Sequence, residues 1–440
     1  MTKSFFKETW AIATPVALQS MLQNSFSFVD QIMVGALGAT SIAAVEVGTK
    51  PGFVFNFVAL SIASVCTIMV SQYVGKNDEE AIDRSLSVSL LISMLFAFVM
   101  CIAVFFFGRP ISSLFTKDQA VITTSTLYLK VIAVLYLLDS LSNIFSVPLF
   151  CQNHASIPLY ISLVTAVMNT FFNYVLIFGQ FGAPRLGVAG AALSSVIAGL
   201  VNATLIIFAS YHYCGRLHFC LDLDHEGWKQ YWIMLIPVAL GELLWSIGQN
   251  VYTSIYGHMG TQELAAMSLT GPLQGMMIGA LSGLSKAAGI LIGQRLGKKD
   301  MDAAYHDGFR LCLYGLVGSV LLSLILAVIR NPYISLYHVN AQVKLFASEA
   351  LVVFAILAPV KVVNMILSGG VLKSGGLTRV IFVYDTIGTY GIGIPAGLIC
   401  AYVFHLSLVP VYFFLSLEEV FRLIVGMIFF KSKKWMVTIH

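Results

Sequence analysis

Charged or Gly/Pro-rich breaks divide this 440-residue chain into twelve apolar runs. A bilayer core of roughly 30 Å needs about 20 apolar residues per helix, and each run is long enough to supply one. The runs lie near 9–35, 42–73, 85–107, 122–146, 155–179, 187–212, 231–257, 263–293, 309–329, 342–367, 378–402 and 407–430. With 58% hydrophobic and 10% charged residues, against roughly 25% charged in an ordinary soluble domain, no soluble fold is compatible. The expectation is an all-α membrane protein with twelve transmembrane helices.

The 25 Lys and Arg and 21 Asp and Glu leave a net charge of +4, with the basic residues scattered through short connections, so no nucleic-acid face is formed. The seven cysteines lie mostly in apolar runs without CxxC or Cys/His metal spacing and read as small buried hydrophobes. The run after the N-terminus is long and lacks a small-residue cleavage site, so it reads as a retained first helix and not a signal peptide.

Orientation follows from Lys and Arg in the connections. The N-terminal stub, the even-numbered connections and the C-terminus hold fifteen of them; the opposite side holds five, namely Arg109, Lys117, Arg185, Arg330 and Lys344. That asymmetry places both termini in the cytoplasm of a cell that carries the chain as a multi-pass protein in its cell (inner) membrane.

The sequence also repeats itself. With a shift of 222, Pro15-Val16-Ala17-Leu18 returns as Pro237-Val238-Ala239-Leu240, and Gly35 and Gly38 return as Gly257 and Gly260. Gln72-x-x-Gly75-Lys76-x-Asp78 falls on Gln294-x-x-Gly297-Lys298-x-Asp300, and Pro110-x-x-Ser113-Leu114 on Pro332-x-x-Ser335-Leu336. The expected organisation is an N-terminal six-helix lobe over 1–212, a cytoplasmic linker over 213–230 with Asp222, Asp224, His225 and Glu226, and a C-terminal six-helix lobe over 231–440. Six being even, the two bundles run parallel, the architecture of alternating-access transporters.

These residues resemble the multidrug and toxic compound extrusion (MATE) family across essentially the whole chain. The resemblance is carried by Pro15 and Phe28-Val29-Asp30-Gln31-x-x-Val34-Gly35, by Gln72-x-x-Gly75 and Gln294-x-x-Gly297, and by Asn169-x-x-x-Asn173-Tyr174 running on to Gly187-Val188-Ala189-Gly190. It implies a V-shaped transporter of two bundles around a central cavity, exporting organic molecules against inward H+ or Na+ flow, with Asp30 as the coupling carboxylate. Asn173 stands where the family often carries Asp, and Glu242, Lys361 and Asn364 do not match the acids of the sodium-coupled branch, so the proton-coupled bacterial branch is the closer fit.

Each ionisable group at mid-bilayer costs at least about 2.5–3.5 kcal/mol, so each needs a partner or an aqueous cavity. Gln19, Gln23, Ser27 and Asp30 recur at spacings of four, four and three, one polar stripe on the first helix. A lone carboxyl among amide partners suits loading and releasing a proton near neutral pH, with Asn169, Asn173 and Ser195 as hydrogen-bonding partners. Asp30 alternatively only ties helices together. Pro15 removes a backbone hydrogen bond half a helix away and is the expected hinge, or else a static kink.

Candidate cavity residues are Gln19, Gln23, Glu46, Lys50, Asp139, Glu242, Trp245, Gln249, Tyr252, Lys286, Lys361 and Asn364. Glu46 and Lys50, four apart, can pair within a helix. Asp139 and Lys361 are repeat-equivalent and could pair across the cavity in one state. Glu242, Trp245, Gln249, Tyr252 and Tyr256 form a polar and aromatic stripe that suits planar or cationic ligands. Glu418 and Arg422 read as a structural pair, and Asp385 has no assigned role. The expected activity is secondary active export of drug-like molecules or metabolites by a monomer, whose partners are a small-molecule substrate and membrane lipids. No cofactor or metal is expected. Alternatives are sodium coupling and a flippase of lipid-linked or anionic substrates, towards which Lys50, Lys286 and Lys361 lean. No enzyme constellation and no P-loop is present.

Overall fold

The computed structural model describes residues 2–215, 217–221, 225–337 and 339–439, without the side chains of Thr2, Lys3, Ser4, Asn24, Ser27, Phe28, His225 and Glu226. The expected stripe residue Ser27 and the linker residues Asp222, Asp224, His225 and Glu226 therefore lie outside the described side chains.

Among the described residues every apolar run is helical and no strand occurs. In chain order the helices are α1 (Thr2–Gly35), α2 (Ala39–Lys76), α3 (Glu79–Ser113), α4 (Gln119–Ile132), α5 (Leu135–Cys151), α6 (Ser156–Phe178), α7 (Val188–Cys214) and α8 (His225–Met259). They continue with α9 (Thr261–Gly297), α10 (Met301–Ser335), α11 (Ala341–Ile366), α12 (Thr378–Thr386), α13 (Ile394–Leu398), α14 (Leu408–Ser416) and α15 (Glu418–Ser432). Among the described residues nine helical segments are long and apolar enough to span a bilayer, and the α4–α5 pair, bent by 42°, makes ten. The remaining two of the twelve runs are α1, whose Gln, Asn and Ser residues lower its hydropathy, and the broken α14–α15 pair.

Besides the broken α14–α15 pair, several runs depart from simple rods. The fourth breaks between α4 and α5. The eleventh is interrupted by π-helical turns at Ile387–Gly393 and Ile399–Val403, the first of them rich in glycine, and a further π turn, Leu367–Leu372, extends α11. In α3, Phe107 leaves helical geometry three residues before Pro110, where the proline ring would otherwise press on the preceding turn.

The 222-residue repeat is visible in the helix ends. Asp78 accepts from the Ala81 amide at 3.0 Å to start α3, and Asp300 accepts from the Ala303 amide at 3.1 Å to start α10. The residues just before them, Asn77 and Lys299, both turn left-handed at φ 58° and 60°. Asp118 caps α4 on the Ala120 amide at 2.8 Å, while its counterpart Asn340 caps α11 on the Val343 amide at 2.9 Å. Each cap satisfies amides that a helix start leaves without internal partners.

The chain forms two contact-dense units, Leu18–His225 and a unit made of Met1–Ala17 with Glu226–His440. The first seventeen residues thus pack with the C-terminal half, whereas the sequence places them in the N-terminal lobe. The division falls within α1, three residues after Pro15. In the C-terminal unit, Gly283 of α9 lies against the Ala13 carbonyl so closely that a side chain could not fit. Phe6 meets the Tyr314 ring edge-on at 5.7 Å, and Glu8 lies 3.6 Å from Arg295, which in turn pairs with Asp307 at 3.2 Å. The core of that unit joins Tyr256, Leu326, Phe354, Ala358, Val411 and Leu415.

In the N-terminal unit the core gathers Phe55, Ala97, Tyr128, Leu129, Tyr136 and Ala192 from α2, α3, α4, α5 and α7. Helices α6 and α7 approach closely at Gly190, where a Cβ would sit 2.6 Å from the Leu176 carbonyl oxygen. Gly190→Val should force them apart and lower stability by about 1–3 kcal/mol. Gly271→Ala, at a position with nothing within 4 Å of the added carbon, should change little. Thermal unfolding in detergent compares the two, and equal midpoints would remove the close packing as a source of stability.

Candidate functional site

In the N-terminal unit four helices direct polar stripes at one cavity of about 660 Å³. From α1 come Gln19, Gln23 and Asp30; from α5, Asp139, Ser142, Asn143 and Ser146; from α6, Ser162, Thr165 and Asn169; from α7, Ser195 and Asn202. Spacings of three, four or seven within each set put these residues on one helical face.

Asp30 is tied to α6. Asn173, buried at 1% exposure, donates from Nδ2 to Asp30 Oδ1 at 2.7 Å. Asn169 lies one turn away, and either orientation of its amide reaches this group. In one its Nδ2 lies 3.5 Å from Ser195 Oγ; with the amide turned over, its nitrogen lies 2.9 and 3.2 Å from the two Asp30 oxygens. The four residues expected at the coupling position thus form one hydrogen-bonded group. Asp139 shares the cavity and has no hydrogen bond or ion pair among the described residues, while Asn202 donates to Ser142 Oγ at 3.0 Å. Asn56, Asn143 and Asn202 were not singled out from sequence. Asn143, four after Asp139, and Asn202, seven after Ser195, continue stripes that periodicity reveals.

Among the described residues of the C-terminal unit, two smaller cavities stand out. One, about 280 Å³, is lined by Gln249, Tyr252, Tyr256, Gln274, Lys361, Tyr412, Glu418 and Glu419 among others. The second, about 260 Å³, is lined by Glu242, Trp245, Lys373, Asp385, Thr389 and Arg422 among others. The stripe read on α8 as a single surface therefore serves two cavities, with Glu242 and Trp245 on one and Gln249 and Tyr252 on the other.

Between them stands a buried ionic group that the sequence reading resolved only as a Glu418–Arg422 pair. The Arg422 guanidinium lies 3.2 Å from Glu418, 3.9 Å from Glu419 and 3.5 Å from Asp385, and it donates to the Thr389 hydroxyl. Asn364 donates to the Glu419 carbonyl at 2.6 Å and to its carboxylate at 2.9 Å; Lys361 reaches the same carboxylate at 3.9 Å. One guanidinium thus binds α12, the following π turn and α15, while Asn364 and Lys361 attach α11. Lys361 has an acidic neighbour in its own unit, and Asn364 is a buried tie that lines none of the three cavities.

The other candidates fall elsewhere. Glu46 and Lys50 form an exposed ion pair within α2, and neither they nor Lys286 line a described cavity. Pro15 lies inside α1, which runs unbroken through it.

Comparison with known proteins bears on the whole chain. The MatE family model matches residues 15–175 and again 237–399, the second match starting 222 residues after the first. The chain is 25% identical over 413 residues to the uncharacterized transporter YisQ of Bacillus subtilis, covering 92% of this chain and 88% of the relative. It is 26% identical over 418 residues to the probable multidrug resistance protein NorM of Rhizobium meliloti, covering 92% and 87%. In three dimensions it matches the bent-form crystal structure of the Vibrio cholerae MATE transporter VcmN with a TM-score of 0.89, covering 99% of both chains at 17% identity, a likeness of fold.

The Arg422 group makes a direct prediction. Arg422→Met removes the one guanidinium among three carboxylates and should cost about 3–5 kcal/mol, because buried carboxylates lose their counter-charge. Adding Glu418→Gln should recover part of the loss. Unfolding midpoints of both variants in detergent provide the check, and an unchanged Arg422→Met midpoint would show that these contacts do not hold α12 and α15 in place.

Proposed function

The chain belongs to the MatE family and is a membrane transporter; from that membership we propose that it is a secondary antiporter exporting small organic molecules, driven by inward proton flow through Asp30. The bond between Asp30 and the α6 amides carries this reading. An ionised Asp30 accepts N–H bonds from Asn173 and from Asn169 with its nitrogen turned inward. A protonated Asp30 becomes a donor, and the opposite Asn169 orientation offers it an acceptor oxygen. A single amide rotation therefore accommodates both protonation states without displacing a helix.

The mechanical consequence is assigned to α1. Asp30 sits in the part of α1 that packs with the N-terminal unit, and Pro15 sits in the part that packs with the C-terminal half. Pro15 removes one internal hydrogen bond, which makes that turn the softest in the helix. Changing the bonds of Asp30 biases the bend there, so protonation selects between two conformations. Inward proton movement supplies roughly 2.3 kcal/mol per charge per 100 mV from membrane potential alone. Coupling ion and orientation are part of the proposal, with both termini cytoplasmic in the cell membrane and the monomer, surrounded by lipid, as the working unit. The relatives named as multidrug resistance proteins support drug-like molecules or metabolites as cargo.

Asp30→Asn keeps the hydrogen-bonding shape and removes the titrating proton. In liposomes with an imposed pH gradient it should lose gradient-driven transport by at least about 100-fold, comparable to removing a proton-transfer group, while retaining the wild-type unfolding midpoint. Transport by Asp30→Asn with an intact pH dependence sinks the assignment, as does wild-type transport that follows a sodium gradient at fixed pH.

A further inference from the structure

One end of the C-terminal unit carries a block of positive charge on a built support, and the support is the last segment of the chain. After α15 the backbone turns left-handed at Lys433, φ 57°, and Trp435 enters the protein completely, at 0% exposure. Its Nε1 donates to the Phe430 carbonyl at 3.0 Å. Its ring stacks on Phe430 at 5.6 Å, and Phe430 stacks in turn on Tyr305 of α10 at 4.7 Å. The Trp435 carbonyl lies against Gly375, in the turn that leads into α12, so closely that a side chain there could not fit. Ile439 is buried too. Chain ends are poorly ordered unless tied down, and this one is fastened to α10, α15 and the turn before α12.

The charge sits on the outer side of that support. Lys431, Lys433 and Lys434 are exposed, and Lys433 lies over the Tyr305 ring at 4.8 Å. Lys298 and Lys299, between α9 and α10, and Arg379, in the first turn of α12, are exposed as well. The tail touches both neighbourhoods, through Tyr305 and Gly375, so these cations share one end of the unit. None of the six forms an ion pair among the described residues. The exposed acids at the start of α10 are Asp300 and Asp302, and Asp300 is engaged in capping that helix. None of the six cations lines a described cavity.

Their depth is set by α15, whose apolar run ends at Phe430 with the first lysine following at once. That is where a membrane span gives way to lipid headgroups. The lysines also lie outside the repeated frame: 222 residues earlier, Lys431-Ser432-Lys433-Lys434-Trp435 corresponds to Ala209-Ser210-Tyr211-His212-Tyr213. We propose that this end of the C-terminal unit is a docking surface for anionic phospholipid headgroups, with Lys431, Lys433 and Lys434 as the main contacts and Trp435 as the residue that positions them. Basic clusters beside a membrane span are drawn to anionic lipid, each residue contributing roughly a fivefold gain in affinity near the surface. A tail already held by Trp435 presents its ammonium groups without the ordering that a loose segment would need. Headgroups bound across the tail and the start of α12 tie the two together, so the lipid also steadies the contact between Trp435 and Gly375.

The test uses the purified full-length protein with phosphatidylglycerol against phosphatidylcholine. Native mass spectrometry compares retention of the two lipids, and thermal unfolding in nanodiscs of each reports stabilisation. The wild-type protein should retain phosphatidylglycerol at least tenfold over phosphatidylcholine and unfold at a higher temperature in it, with the preference weakening as salt is raised. Replacing Lys431, Lys433 and Lys434 together by Gln should reduce the preference at least tenfold and remove the stabilisation, while replacing all three by Arg should keep both. Lys344→Gln, at the opposite end of α11 from the turn before α12, should change neither. Trp435→Ala keeps every lysine and should still lose most of the preference. Equal retention of the two lipids by the wild-type protein overturns the proposal, as does a triple Gln variant with the wild-type preference. Full preference in Trp435→Ala overturns the positioning role of the buried ring.

Discussion

The interaction on which this molecule depends is the one that hydrocarbon refuses: a polar group without a partner. Inside a bilayer no water completes a stray hydrogen bond or screens a charge, so backbone polar groups are satisfied within helices and ionisable side chains need built surroundings. The two units meet that demand differently. The N-terminal unit surrounds Asp30 and Asp139 with a cavity walled by amides and hydroxyls. The C-terminal unit condenses its carboxylates around Arg422, with Thr389 and Asn364 completing the bonds. Hydration is replaced by a polar wall in one case and by a counter-charge in the other.

The difference is sharper because the frames are repeats. Asp78 and Asp300 start equivalent helices with the same bond, and Asp118 and Asn340 do so with different side chains. At one internal repeat position the residues have opposite charge, Asp139 on α5 and Lys361 on α11. Asp139 faces an amide-rich cavity, whereas Lys361 lies beside Glu419. Repetition has preserved the residues that end and bend helices while the chemistry inside them diverged. This is expected where the frame is set by hydrogen bonds at helix ends and the interior chemistry by a few side chains.

Legibility in the sequence follows the same line. Helix number, repeat period and the polar stripe of α1 are local patterns, readable from periods of 3.6 and of 222 residues. The approach of Asn169 and Asn173 to Asp30 was readable because the family resemblance singles out Asp30 and the Asn169–Asn173 motif, whereas Ser195 entered only as a possible hydrogen-bond partner. The Arg422 group was not readable: Asp385 and Arg422 are 37 residues apart, and the turn that joins them through Thr389 is π-helical, which carries no periodic signal of its own. The two cavities on α8 escaped for a related reason. Residues sharing a stripe on one helix are divided only by what packs against it, and that packing comes from α9, α11, α12, α14 and α15.

Under the proposed proton coupling, the path of α1 sets where a change at Asp30 is felt. The helix is continuous from Thr2 to Gly35, yet its first seventeen residues pack with the C-terminal half and the rest with the N-terminal unit. At one end Ala13 is pressed onto Gly283 and Glu8 onto Arg295; at the other Asp30 is held by Asn173. A rod fixed at both ends transmits a change at either end, and it yields where its hydrogen-bond ladder is weakest, which here is the turn at Pro15. Under the proposed coupling, protonation of Asp30 need not displace a whole bundle to be felt; it need only alter the balance of hydrogen bonds at one anchor of a helix whose other anchor is the close backbone approach of Ala13 to Gly283.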